Sequence, residues 1–226
     1  MDKKIKIGII GTAGRDEESL SLLNKNLFNS VVTFIRKFQE ECNLKTENIT
    51  LISGGSSWMD HIVIKLFLIY LNIDHSYEYL DLYLPCEIHD KDTVSKDCIK
   101  CVEERNYCHF KDNDKKWYIN PGRSLNNLHS NFSKKMSVDT LQEIVYVSNL
   151  DKVNVNIESS MNKRNDKIAE NSDLLLAFTF GDIIPPSGGS LYTWNKCKNK
   201  KLNIDLNKIE NEEYRLETIN KLKNLL

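Results

Sequence analysis

The sequence predicts an α/β chain with a doubly wound, mostly parallel sheet and one long insertion. Three observations predict it. Short apolar runs alternate with amphipathic stretches along most of the chain. The runs Ile7-Gly8-Ile9-Ile10 and Leu51-Ile52 are apolar on successive residues, as strands covered on both faces are. Glycine-bearing turns follow three of the predicted strands, at the end of the sheet where α/β proteins hold their ligands.

In order along the chain, residues 5–10 form the first strand. Residues 20–42 follow as a helix, because Leu20, Leu23, Leu27, Val31, Phe34 and Phe38 recur at spacings of three and four. Residues 49–53, 57–72 and 79–84 continue as strand, helix and strand. The pattern lapses after Pro85 and resumes near Val138. The stretch 86–136 is rich in Asp, Lys, Asn and Cys without a sustained period, and reads as an insertion or lid. Residues 138–150 then read as a helix, 152–157 as an extended piece and 160–171 as a helix. Residues 173–179, with Leu-Leu-Leu-Ala-Phe-Thr, form the most apolar strand. A turn, a helix, a strand at 202–206 and a charged helix close the chain. The expectation is one Rossmann-like domain over 1–226 with 86–136 inserted in it.

Composition bounds the function. The chain has 226 residues, 40% hydrophobic and 28% charged, with 31 basic against 32 acidic side chains and a formal net charge of −1. This length buries a core without disulfides. A balanced charge disfavours binding of nucleic acid or acidic membranes by bulk electrostatics. No apolar run reaches the roughly 18 residues of a membrane span, and the amino terminus lacks the long apolar core of a signal peptide. Six unevenly spaced cysteines fit reduced thiols, so a cytoplasmic setting is expected.

The three turns are Gly11-Thr12-Ala13-Gly14-Arg15, Ser53-Gly54-Gly55-Ser56-Ser57 and Pro186-Ser187-Gly188-Gly189-Ser190. Glycine lets backbone amides approach a phosphate, and a following helix amino terminus adds partial positive charge. Gly8, Gly11 and Gly14 are not spaced as the dinucleotide fingerprint requires, and no Walker lysine-serine pair is present. No cofactor is expected.

The order and content of these turns resemble the SLOG superfamily, a Rossmann-like group that includes LOG-type phosphoribohydrolases, the competence DNA-processing protein and small phage nucleotide-binding proteins. Ile9-Ile10-Gly11-Thr12-Ala13-Gly14-Arg15 resembles its opening turn. The run from Ser53 through Trp58-Met59-Asp60 is similar to its SGGA-x-G-x-D segment. Lys163-Arg164-Asn165 resembles its R-N helix, and Gly188-Gly189-Ser190-Leu191-Tyr192-Thr193 its late G-G-[ST]-x-x-T turn. The resemblance covers about two thirds of the chain, everything outside the insertion. It implies a phosphate-and-ribose site, with a homodimer as the assembly. One departure is plain: phosphoribohydrolases carry a catalytic acid after the late turn, and here Thr193 is followed by Trp194, Asn195 and Lys196.

The candidate ligand-binding residues are therefore Gly11, Thr12, Arg15, Gly54, Gly55, Ser56, Arg164, Asn165, Gly188, Gly189, Ser190 and Thr193. Within the insertion, Arg123 and Asn127 stand four apart on one helix face, and His129 adds a group that titrates near neutrality. These three are candidates for selectivity. If the chain cleaves a glycosidic bond, Glu158 and Asp60 are the candidate proton handlers. Cys98-x-x-Cys101, Cys108-His109, Cys86 and His89 have the residue types of a zinc site, but their spacing is imperfect and reduced thiols are the favoured reading. Lys196, Lys198, Lys200 and Lys201 complement a helix carboxyl terminus. Trp117 and Trp194 are candidates for stacking on a base.

The sequence thus supports binding of a nucleotide or nucleotide-derived small molecule at the carboxyl edge of the sheet. The alternatives are an N-glycosidic hydrolase of a nucleoside monophosphate or an ADP-ribose-like ligand and, against the charge balance, a protein that binds single-stranded nucleic acid.

Overall fold

A computed structural model describes residues 4–71, 76–89, 109–111 and 120–226. In chain order the strands are β1 (Ile5–Gly11), β2 (Ile49–Ser53), β3 (Tyr79–Leu84), β4 (Ile88–His89), β5 (His109–Phe110), β6 (Val153–Ile157), β7 (Leu174–Thr179) and β8 (Lys200–Asp205). The helices are α1 (Glu17–Leu22), α2 (Lys25–Glu41), α3 (Ile62–Tyr70), α4 (Pro121–Met136), α5 (Thr140–Ser148), α6 (Met161–Asn171), α7 (Gly188–Lys196) and α8 (Glu212–Leu225). Six strands form one sheet in the order β6-β3-β2-β1-β7-β8, and every pairing in it is parallel. β4 and β5 form a separate antiparallel pair. This is the doubly wound α/β fold that the sequence predicts.

The central strands β1, β2 and β7 are buried along their length except at Lys6, and mostly apolar, because both faces are covered. On one face Ile7, Ile9, Leu51, Leu176 and Phe178 pack with α2 and α3 residues such as Phe34, Phe38 and Phe67. On the other, Ile10, Ile52, Leu175 and Ala177 meet Ile168 and Ala169 of α6, and Cys197 just beyond α7. Chain order reverses between β1 and β7, so the two strands diverge into opposite crossovers and leave a crevice beyond their carboxyl ends.

The helix expected over 20–42 is two helices. Asn24 caps α2 by accepting the Leu27 amide at 3.0 Å, and α1 turns aside to stand at the crevice. The second expected helix starts five residues late, because residues 57–61 form a turn with Trp58 at φ 57°.

Part of the expected insertion belongs to the core. α4 buries Leu125, His129 and Phe132 completely or nearly so, and the Phe132 ring stands 4.6 Å from Trp58 and 5.5 Å from Phe28. Asn126 of α4 pairs with both backbone groups of Phe110, at 2.8 and 2.9 Å, joining β5 to the core. Residues 120–136 are thus core, although their Asn, Ser and Lys content hides it. Phe132→Ala is expected to cost about 3–5 kcal/mol in urea unfolding, as deletion of a buried ring does. A loss below about 1 kcal/mol would show α4 to be peripheral.

Candidate functional site

The carboxyl ends of β1 and β7 open into a cleft of about 470 Å³. Its floor is the Gly11–Arg15 turn, and its walls are α1, the start of α7, Ser56 and Asp60 after β2, and Arg164 and Asn165 of α6. Gly11 lies at the switch point itself. A Cβ there would stand 2.2 Å from the Phe178 carbonyl oxygen and 2.7 Å from Met59 Cβ, so only glycine lets β7 and the turn after β2 approach this closely.

Arg164 is buried, and its guanidinium donates to Gly54 O at 2.9 Å and to Asn165 Oδ1 at 2.8 and 3.0 Å. Asn165 Nδ2 reaches Gly189 O at 3.5 Å. The adjacent pair therefore ties the turn after β2 to the first turn of α7. Gly54 is required for this, since a Cβ would meet the guanidinium at 2.8 Å. Asp60 stands 3.9 Å from Arg164 Nη1. Burial pushes the Asp60 carboxyl above the ordinary carboxylate range despite the charge of Arg164 beside it, so it holds a proton more readily than a free aspartate. Burial also lowers Arg164, against the opposing pull of Asp60.

α7 supplies a helix amino terminus to the cleft. Its N-cap residue, Ser187, makes no side-chain capping bond, and Ser187, Gly188, Gly189 and Ser190 line the space. Ser190 donates to Gly11 O at 2.7 Å and Thr193 to Gly189 O at 2.8 Å. Both hydroxyl protons are therefore held by the scaffold, leaving only their lone pairs for a ligand. Ser56 differs: its Oγ is buried at the cleft wall with no partner among the described residues. Arg15 is exposed at the rim, 3.5 Å from Ser124 Oγ of α4.

Of the residues nominated from sequence, Gly11, Thr12, Arg15, Ser56, Asp60, Arg164, Asn165, Gly188, Gly189, Ser190 and Thr193 line this cleft together. Gly54 and Gly55 lie behind it, under Arg164 and His129. Arg123 and Asn127 are on α4 and do not line it, although their neighbour Ser124 meets Arg15. Glu158 follows the edge strand β6, with β3 and β2 between it and β1, and is outside the cleft.

His129 does not titrate near neutrality. It is fully buried, with Nε2 3.1 Å from Gly55 O and Nδ1 2.9 Å from Thr140 Oγ1, and Ser133 Oγ continues the chain at 2.7 Å. Burial, then the neighbouring His61, pushes it down to about 3. The neutral ring donates to Gly55 and accepts from Thr140, which holds the turn after β2 from behind. His61 in turn meets Glu143 at 2.7 Å. Burial opposes ionisation of Glu143, but the hydrogen bond and charge of His61 outweigh it and hold the carboxyl low.

The sequence reading missed Asp16, Leu22 and Phe180 of the lining. Asn24 was the available signal for the first two, since a helix cap there ends α1 and turns it toward the cleft. Cys98, Cys101 and Cys108 lie outside the described residues, as does Trp117. Among the described residues no group of three or more His, Cys, Asp or Glu is placed to hold a metal ion, and no helix is long and apolar enough to cross a membrane. Trp194 packs beside the second core cluster, away from the cleft. Lys201 donates to Trp194 O and Cys197 O at 2.7 and 2.9 Å, so one member of the lysine cluster does cap α7.

No model of a known protein family matches the chain. No solved structure matches it either. It is 37% identical over 206 residues to an uncharacterized protein of Acanthamoeba polyphaga mimivirus, an alignment that spans 90% of this chain and 97% of the viral one. The chain belongs to the same protein family as that mimivirus protein.

Proposed function

We propose that the cleft binds a nucleotide or nucleotide-derived small molecule through its phosphate and ribose. One observation carries this reading: at the switch point, the α7 amino terminus without a side-chain cap and the unpartnered Ser56 hydroxyl face one space, with Arg15 at its rim. Amides, a hydroxyl and a guanidinium arranged around a cavity are the donors that an oxyanion requires. The likeness of the three turns and the Arg164-Asn165 helix to the SLOG superfamily supports the same reading, and its members bind such ligands. Among the described residues Cys42 and Cys197 are in no disulfide, which fits a cytoplasmic setting.

The test is ultrafiltration of the full chain with nucleoside monophosphates, ADP-ribose and cyclic dinucleotides, followed by chromatography of both fractions. Retention of one intact compound is the expected result. Arg15→Ala should then weaken retention by about 1.5–3 kcal/mol, the range of a charged hydrogen bond, without lowering the Tm, because Arg15 is exposed. Passage of every compound into the filtrate would remove the proposal.

A second reading, N-glycosidic hydrolysis, is favoured by Asp60 specifically. A buried carboxyl whose affinity for protons is raised, placed in the cleft, has the property of a general acid. Free base in the filtrate, lost in Asp60→Asn while ligand retention persists, would establish turnover; intact ligand throughout would leave binding alone.

A further inference from the structure

The two edges of the sheet are built differently. β8 begins with Lys200 and Lys201 and ends with Asp205, charges of the kind that keep an edge from pairing. β6, Val-Asn-Val-Asn-Ile, has no charge, proline or bulge. Among the described residues nothing pairs with its outer side. Lys152 O accepts from Leu80, and the Glu158 amide donates to Leu84 O, so the even-numbered backbone groups face β3. Alternation along a strand then turns the amide and carbonyl of Val155 and Ile157, and the carbonyl of Val153, outward. Val155 and Ile157 are 37% and 49% exposed, and α5, which flanks β6, exposes Tyr146 at 53%.

We infer that β6 is a homodimerisation edge, pairing antiparallel with β6 of a second copy about a two-fold axis at Val155. What identifies the occupant is self-complementarity. With Val155 opposite itself, Val153 faces Ile157 of the second copy and Asn154 faces Asn156. Lys152, just before the strand, faces Glu158, just after it. Every pair matches in kind: apolar on the face shared with Leu80, Leu82 and Leu84, asparagine and opposite charge on the other. The outward backbone groups of Val155 form a reciprocal hydrogen-bonded pair, and the Ile157 amides reach the Val153 carbonyls. The Lys152–Glu158 pairs fall at non-hydrogen-bonded positions, where side chains approach most closely. A two-fold interface requires one patch to match itself, and this strand does. Glu158 thereby belongs to an interface rather than to the cleft.

The test is sedimentation velocity of the full chain across a concentration series. A dimer is expected. Val155→Lys places two ammonium groups together at the axis and should give a monomer with unchanged circular dichroism. Lys152→Glu and Glu158→Lys, each alone, set like charges opposite each other twice per dimer and should raise the dimer Kd about tenfold or more. The double variant restores opposite charges and should restore wild-type affinity, a rescue that misfolding cannot produce. A wild-type monomer at all concentrations, or a dimer indifferent to Val155→Lys and to both single reversals, would overturn the proposal.

Discussion

Lowering the pH from 7 to 4 is expected to remove about 3 kcal/mol of folding stability through His129 alone. In the folded chain its proton affinity is depressed to about 3 by burial and by His61, against an ordinary value of 6.5. The unfolded chain therefore binds a proton through this window that the folded chain refuses. Stability contributed by the neutral ring is complete above pH 6.5 and falls as the pH drops toward 3. Burial fixes the sign. Nε2 donates to Gly55 O and Nδ1 meets the Thr140 hydroxyl, so both nitrogens of the neutral ring are satisfied, whereas a charged ring would be fully desolvated beside His61. Urea unfolding at several pH values from 7 to 4 measures this. His129→Gln should start less stable at pH 7 but lose stability less steeply, by about 1.4 kcal/mol per pH unit near pH 5. Parallel slopes for the two proteins would show that His129 is not the acid-sensitive group.

Arg164→Ala is expected to cost about 3 kcal/mol of stability, in addition to any loss of ligand. The sequence alone reads Arg164 as a ligand-binding group. Its surroundings make it a strut. Truncation leaves Gly54 O and Asn165 Oδ1 without their buried donors, opens space against Gly54, and removes the charge 3.9 Å from Asp60. The cost falls at the low end for a broken buried pair because Asp60, already raised by burial, can neutralise itself by taking a proton. Arg164→Lys should recover little, since an ammonium cannot serve Gly54 and the two bonds to Asn165 from one plane. Thermal unfolding of the three proteins at pH 7 checks the order. A wild-type Tm in Arg164→Ala would return the residue to a purely ligand-facing role.

The strands were the most legible part of this protein. Continuous apolar runs at Ile7–Ile10 and Leu174–Phe178 can be satisfied only between two helical layers, so their composition determines both element and burial. The glycine turns were legible for the same local reason: each follows such a strand directly. Local pattern did offer α4, since Leu125, Leu128, Phe132 and Met136 recur at spacings of three and four behind the Asn120 cap and Pro121, but the Asn, Ser and Lys between them obscure that period.

What the sequence determined by itself was the α/β class, the six sheet strands along the chain, and the residues that gather beyond β1, β2 and β7. Only the tertiary structure decided which of them line the cleft. Sheet order sets β6 three strands from β1 and so takes Glu158 out of the cleft, while the crossing of α6 over β2 turns the Arg164 fork onto Gly54. Both outcomes depend on which distant backbone a side chain meets, and the spacing of residues along a chain does not encode that distance.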